Sequence, residues 1–339
     1  MRITNKMITN SYSRSLNHLF SDMNKLSNQV VSQRKFAKSS EDTAAAVSAY
    51  QIRRNLSHAE DYKENILTAQ DFLTNSETIL DKVNESLQNA ILKVQTAVQS
   101  ATISKDERSV FAEELKAVRD QILQTLNSNS TGMYIFGGSN TVENPFTVDS
   151  DGNLAYNAAY TGGTLKSMSD ADASALSKDG LTIDIGMGLT VTAGNIDSSS
   201  VFTYSITGIE IMPAGYTNVN GEDVSNNVYD QLTRIVQELE KDDGTFSNDM
   251  LEGLFGKLQK SSGDILHNIT KIGAKTSYLG FMEDRYDTQI LSLQERQNHV
   301  EVADPALTLV NFQTQKVAYQ TALQMGADMI QPSIFNFMD

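Results

Sequence analysis

The chain has 339 residues with no Cys, no Trp and four Pro, which excludes disulfides, thiolate metal ligands and thiol nucleophiles. Its net charge of −15 argues against nucleic acid or an anionic membrane surface as the main partner, and no run of roughly 18 apolar residues is present to span a membrane. The charge is uneven: residues 1–38 hold seven Lys/Arg and one acid, Asp22, leaving −21 on the rest, so the basic arm is expected to meet an acidic surface.

In that arm Tyr12, Leu16, Leu19, Met23, Leu26 and Val30 recur at alternating gaps of four and three, the seam of a helix with one narrow apolar face. A basic, Ser-rich, acid-poor start also resembles an organellar transit peptide. The seam, however, leads straight into a second helical pattern, as an integral part of a fold would.

"SSEDTAAA" (39–46) marks that second start, with Ser39 as the expected cap and Asp42 completing a near capping box. From Tyr62 through Ile66, Ala69, Leu73, Ser76, Leu80, Val83, Leu87, Ala90, Val94 and Ala97 to Ala101 the 4-3 alternation is unbroken. Such a helix would be roughly 60 Å long and implies an elongated particle. "ISKDERS" interrupts the row, Ser104 is placed to cap, and Phe111, Leu115, Val118 and Ile122 resume it, giving a helical hairpin over 39–132. These stripes fit either an internal bundle core or seams completed by neighbouring molecules.

Between 133 and 225 the chain turns rich in Gly, Thr, Ser, Asp and Asn and alternates with period two, predicting a β-rich insertion. "LTIDIGMGLTV" would set Leu181, Ile183, Ile185, Met187, Leu189 and Val191 on one strand face, "VFTYSITGIEI" a second strand, and Asp151-Gly152 a hairpin turn. Helical rows return over 226–303, first at Val228, Leu232, Ile235 and Leu239 and then from Leu251 to Val300. Asp304-Pro305 opens a last helix within 304–339, with Leu307, Val310, Thr314, Val317 and Thr321 in a row.

The predicted architecture is α+β: long antiparallel coiled-coil-like helices from both chain halves, with the β-rich domain inserted between them. Antiparallel helices would bring the 16–30 seam to the 307–321 seam. Both are thin enough to need completion by identical or related subunits, which makes Tyr12, Leu16, Leu19, Met23, Leu26, Val30, Leu307, Val310 and Val317 the candidate assembly residues.

No catalytic constellation accompanies them. His18, His58, His267 and His299 lack metal-ligand spacing, "GLFGK" (253–257) lacks the spacing of a phosphate loop, and "DSDGN" (149–153) lacks the later acids of a calcium loop. The expectation is a non-enzyme with no cofactor and no metal.

Several stretches resemble the flagellin superfamily, and within it the hook-associated proteins of the hook–filament junction. "MRITNKM" is similar to that family's start. Ser40, Glu41 and Asp42 stand where it carries a Ser-Asp-Asp element, with Ser39 and Thr43 replacing its usual flanking prolines, and "YQTALQ" (319–324) resembles its C-terminal element. "GMYIFGGSNTVENPF" (132–146) is the most specific match, through Gly132, Tyr134, Ile135, Phe136, Gly137, Gly138, Thr141, Pro145 and Phe146. The resemblance covers about 1–147 and 225–339. It implies an extracellular structural protein of the flagellum, exported unfolded without a cleaved signal peptide and held beforehand by a chaperone at its C-terminal region. Its partners would be the preceding junction protein, flagellin and copies of itself in a ring. A small flagellin, or an adhesive module displayed on a helical stalk, are the alternatives.

Overall fold

A computed structural model describes residues 5–99, 104–130, 132–157, 163–192, 195–197, 200–242 and 244–330. The opening "MRIT", Ala101 and the tail "QPSIFNFMD" lie outside them. The chain is an α+β protein whose residues fall into two compact units, one formed by the stretches up to Glu60 and from Asp287 onward, the other by Asp61–Tyr286.

In chain order the helices are α1 (Asn5–Ser32), α2 (Thr43–Gln99) and α3 (Lys105–Leu126), then two short helices, α4 (Asp170–Leu176) and α5 (Gly208–Ile211). The long helices α6 (Val228–Leu239), α7 (Asn248–Glu301) and α8 (Pro305–Ile330) close the chain. The middle holds small antiparallel sheets: β1 (Asn129–Ser130) with β2 (Met133–Tyr134), and β3 (Phe146–Val148) with β4 (Leu154–Tyr156) and β5 (Gly163–Thr164). Further pairs are β6 (Thr182–Ile183) with β9 (Phe202–Thr203), β7 (Val191–Thr192) with β8 (Asn195–Ile196), and β10 (Tyr216–Val219) with β11 (Glu222–Ser225).

Within the Asp61–Tyr286 unit, α2 and α7 run antiparallel. Gln70 Nε2 donates to Glu283 Oε2 at 3.2 Å, Gln88 Nε2 to Ser262 Oγ at 2.8 Å, and the Tyr62 and Tyr286 rings lie 5.7 Å apart. Every described member of the α2 row from Ile66 to Ala97 is fully buried there, so this stripe is internal core. Ser76, its one hydroxyl, turns back to the Phe72 carbonyl at 2.8 Å and so is satisfied within its own helix.

The helix ends follow local chemistry. Ser104 and Glu107 form a full capping box at the start of α3. At α2 the cap is Asp42 rather than Ser39: its carboxylate accepts the Ala45 N–H at 2.9 Å, while Glu41 reaches back to the Ala37 N–H. An acid one residue before the helix serves the exposed first-turn amides better than a hydroxyl four residues upstream. At the other end of α6 the buried Arg108 guanidinium donates to the Leu239 and Lys241 carbonyls at 3.3 and 2.9 Å and covers the Phe246 ring at 4.4 Å, a cation at a helix C-terminus.

The long alternating strand expected over 181–191 does not form. Gly186 and Gly188 take φ of +75° and +90°, which turn the backbone out of a ladder. Ile185 is buried, but Met187, Leu189 and Val191 are exposed, and only Thr182–Ile183 and Val191–Thr192 pair. The second expected strand likewise stops at Thr203, with Gly208–Ile211 forming α5. The Asp151-Gly152 turn does close the β3–β4 hairpin, with Asp149 accepting the Asp151 and Asn153 N–H groups.

Candidate assembly surface and the 132–146 node

In the unit holding both termini, α1 packs antiparallel on α8 through the face predicted for α1. Tyr12, Leu16, Leu19, Met23, Leu26 and Val30 are all half-buried along one stripe, while their neighbours are largely exposed. Tyr12 Oη donates to the Ala322 carbonyl at 2.6 Å, the Phe20 and Tyr319 rings lie 5.7 Å apart, and Gly326 meets the Tyr12 ring so closely that a methyl group there would overlap it.

α8 answers with a different face from the expected one. The residues turned inward are Thr308, Phe312, Gln315, Tyr319, Ala322 and Gly326, again at alternating gaps of four and three. Leu307, Val310 and Val317 are about 60% exposed and point away from the pair, so the 16–30 seam does not meet the 307–321 row. α8 is apolar around most of its circumference, so periodicity alone did not fix its phase. The aromatic pair Phe312 and Tyr319, with a glycine seven residues beyond, carried the signal. Leu309, Leu323 and Met325 enlarge the exposed apolar surface, and a helix of this composition is one that ordinarily ends up covered.

The base of the pair is strapped. Between α1 and α2 the chain passes beside the α7–α8 turn: Ala303 N–H donates to the Gln33 carbonyl at 2.9 Å, Lys35 N–H to the Glu301 carbonyl at 2.8 Å, and Arg34 bridges Val302. Arg53 then grips the nearly buried Glu301 carboxylate through two hydrogen bonds of 2.7 and 2.6 Å.

That grip holds the Glu301 carboxyl below its ordinary range, because Arg53 hydrogen-bonds its charged form. A carboxylate with a lowered native pKa stabilises above its unfolded value, near 4.3, and loses that contribution as pH falls through the native value. Amide-exchange protection at Lys35 and Ala303 is therefore expected to drop below about pH 4. Glu301→Gln should show the same loss already at pH 7, by up to about fivefold given Arg53's exposure. Unchanged protection in both experiments would refute the strap's dependence on this charge.

The 132–146 stretch builds a separate node in the other unit. Ile135, Phe136 and Phe146 are buried to 1% exposure or less, beside the equally buried Tyr156. The Phe136 carbonyl accepts both the Gly208 N–H at 2.8 Å and Tyr156 Oη at 2.9 Å, and the Phe146 and Tyr156 rings are 5.5 Å apart. Burial raises the Tyr156 phenol above its ordinary value, which keeps this donor neutral further into the alkaline range. Asn127, just past α3, clamps both main-chain groups of Phe146 at 2.8 and 2.9 Å. Gly132 and Gly138 take φ of +83° and +63°, Gly137 closes a tight turn with Asn140, Tyr134 N–H donates to the Thr141 carbonyl and Pro145 accepts the Asn157 N–H. Gly208 was not singled out from the sequence, yet a Cβ there would lie 2.5 and 2.7 Å from the Tyr156 and Phe146 rings. The run is a packing core joining α3 to the β-rich region.

Among the described residues no group of three or more His, Asp or Glu is placed to hold a metal ion, and no helix is long and apolar enough to cross a membrane.

Paired terminal helices, long antiparallel helices and an inserted β-rich region make up the α+β architecture of this chain. The family described as the bacterial flagellin N-terminal helical region matches residues 3–141. More particularly, the chain is similar to flagellar hook-associated protein 3 of Salmonella typhimurium, with 22% identity over 350 positions covering 99% of each chain. Its fold matches that of a flagellar hook-associated protein from Vibrio parahaemolyticus, with a TM-score of 0.58 and 20% identity over 77% of this chain and 100% of that one. FlgL of Bacillus cereus matches with a TM-score of 0.52 and 17% identity over 73% and 99%. The resemblance read from "GMYIFGG" and its companions is borne out.

Proposed function

We infer that this chain is a structural adaptor of the bacterial flagellum, seated at the junction where hook gives way to filament, and that it carries no catalytic site. The observation that carries this reading is the end-to-end likeness to hook-associated protein 3, in which both terminal regions and the central insertion are aligned. The exposed apolar side of α8 supports it from an independent direction, since Leu307, Val310 and Val317 are left to be covered by other subunits. On this reading the α1–α8 pair stacks among copies of itself in a ring, against the preceding junction protein on one side and flagellin on the other. The β-rich insertion, about 133–225, is then the part of each subunit turned outward from the ring. The protein acts outside the cell, exported without a cleaved signal and escorted by a chaperone bound at its C-terminal region.

Two measurements test this. A strain lacking the protein is expected to make hooks but shed flagellin into the medium, and the full-length gene should restore filaments. Purified protein should remain monomeric at concentrations where flagellin polymerises. Filaments growing from the purified chain alone would instead identify a small flagellin, and normal filaments in the deletion strain would overturn the junction role.

A further inference from the structure

We propose that the groove between the β10–β11 hairpin and α7 is a binding site for an extended peptide bearing a carboxylate side chain. The groove has a volume of about 490 Å³, enough for two or three residues. It lies beside the point where the hairpin tip rests on α7. At the tip, Gly253 is pressed so tightly that a Cβ would lie 2.7 Å from Val219 Cγ1 and 2.9 Å from Asn220 Nδ2, and Asn220 Nδ2 donates to the Asp249 carbonyl at 2.7 Å. One helical turn further on, a Cβ at Gly256 would meet nothing within 4 Å. Gly256 lines the groove together with Thr217 of the hairpin and Pro213 just before it, and its missing side chain leaves the floor open there.

The charge in the groove is equally one-sided. Lys257 Nζ donates to the Val224 carbonyl at 2.6 Å and retains two further N–H groups, and Lys260 stands beside it. Among the described residues neither ammonium has an ion-pair partner, in a chain whose net charge is −15. Burial, helped by Lys260, lowers Lys257 to about 8, the mark of a cation lacking a counter-charge. Asp264, a turn beyond Lys260, lines the other end and gives the groove a polarity that suits a chain of fixed direction. Thr217 and Val219, alternate residues on one face of β10, run along the groove wall, so an extended peptide can lie between that face and α7.

The full-length chain is to be titrated with acetyl-Val-Glu-Val-amide, with its Val-Gln-Val counterpart and with glucuronate, following the amide and lysine resonances of residues 253–264. The expected result is saturable binding of the Glu peptide alone, at least tenfold weaker in Lys260→Gln. In Gly256→Leu it should vanish while the unfolding midpoint stays level or rises, because the new side chain fills the groove and favours the helix. Equal binding of the neutral peptide would overturn the proposal. So would binding of glucuronate without the peptide, wild-type affinity in Gly256→Leu, or no saturable shift at all.

Discussion

Replacing Leu307, Val310 and Val317 together with serine is expected to abolish filament assembly while leaving the isolated molecule as stable as before. All three side chains are about 60% exposed on the side of α8 turned away from α1, so the monomer gains little by burying them, and surface changes of this kind usually stay within about 0.5 kcal/mol. In an assembled ring the same side chains would be covered, at about 1.5–3 kcal/mol apiece. Losing three such contributions at each contact is enough to lower association by a factor of about a thousand. The measurement pairs a thermal unfolding curve of the purified variant with swimming and with the flagellin shed by the strain that carries it. Normal swimming would remove the outward face of α8 from the assembly surface. A lowered unfolding midpoint would mean that these residues support the fold instead.

The second large effect is expected at Phe136. Truncation to alanine empties a fully buried site, and should cost about 3–5 kcal/mol in a urea titration of the purified protein. The Phe136 carbonyl, which takes two hydrogen bonds, is main chain and survives the substitution, so the loss reports packing. Val142 lies in the same stretch but is 82% exposed, and its change to alanine should be close to neutral. Similar costs at both positions would show that the node is not what holds this region together.

The contrast between α1 and α8 shows how far the residues alone could carry the reading. α1 has polar and charged residues on every side but one, so the phase of its seam was fixed by the sequence pattern and the six residues named there do lie along its packed stripe. α8 offers Leu, Val, Ala and Met at nearly every angle, so a 4-3 row could be drawn through either side, and the ring at Tyr319 decided which. The row from Ile66 to Ala97 was legible to the residue, because Ala at the close approaches and Leu or Val elsewhere leaves one narrow buried face. In the β-rich region alternation misled, because Gly186 and Gly188 interrupt it with backbone angles no alternating pattern records. The 132–146 residues were found by likeness; that the Phe136 carbonyl is tied to the Gly208 N–H required coordinates, since the two lie 72 positions apart. Arg108 had no sequence signal beyond its place in a charged turn.

The strap at Gln33–Lys35 has a mechanical meaning. Tension applied to α1 and α8 arrives at the two main-chain bonds beside Val302 and at the Arg53–Glu301 fork before it can reach the peptide links leading into α2 and α7. Short crosswise ties of this kind share a pull between two strands of the chain, so neither connector has to bear it unaided.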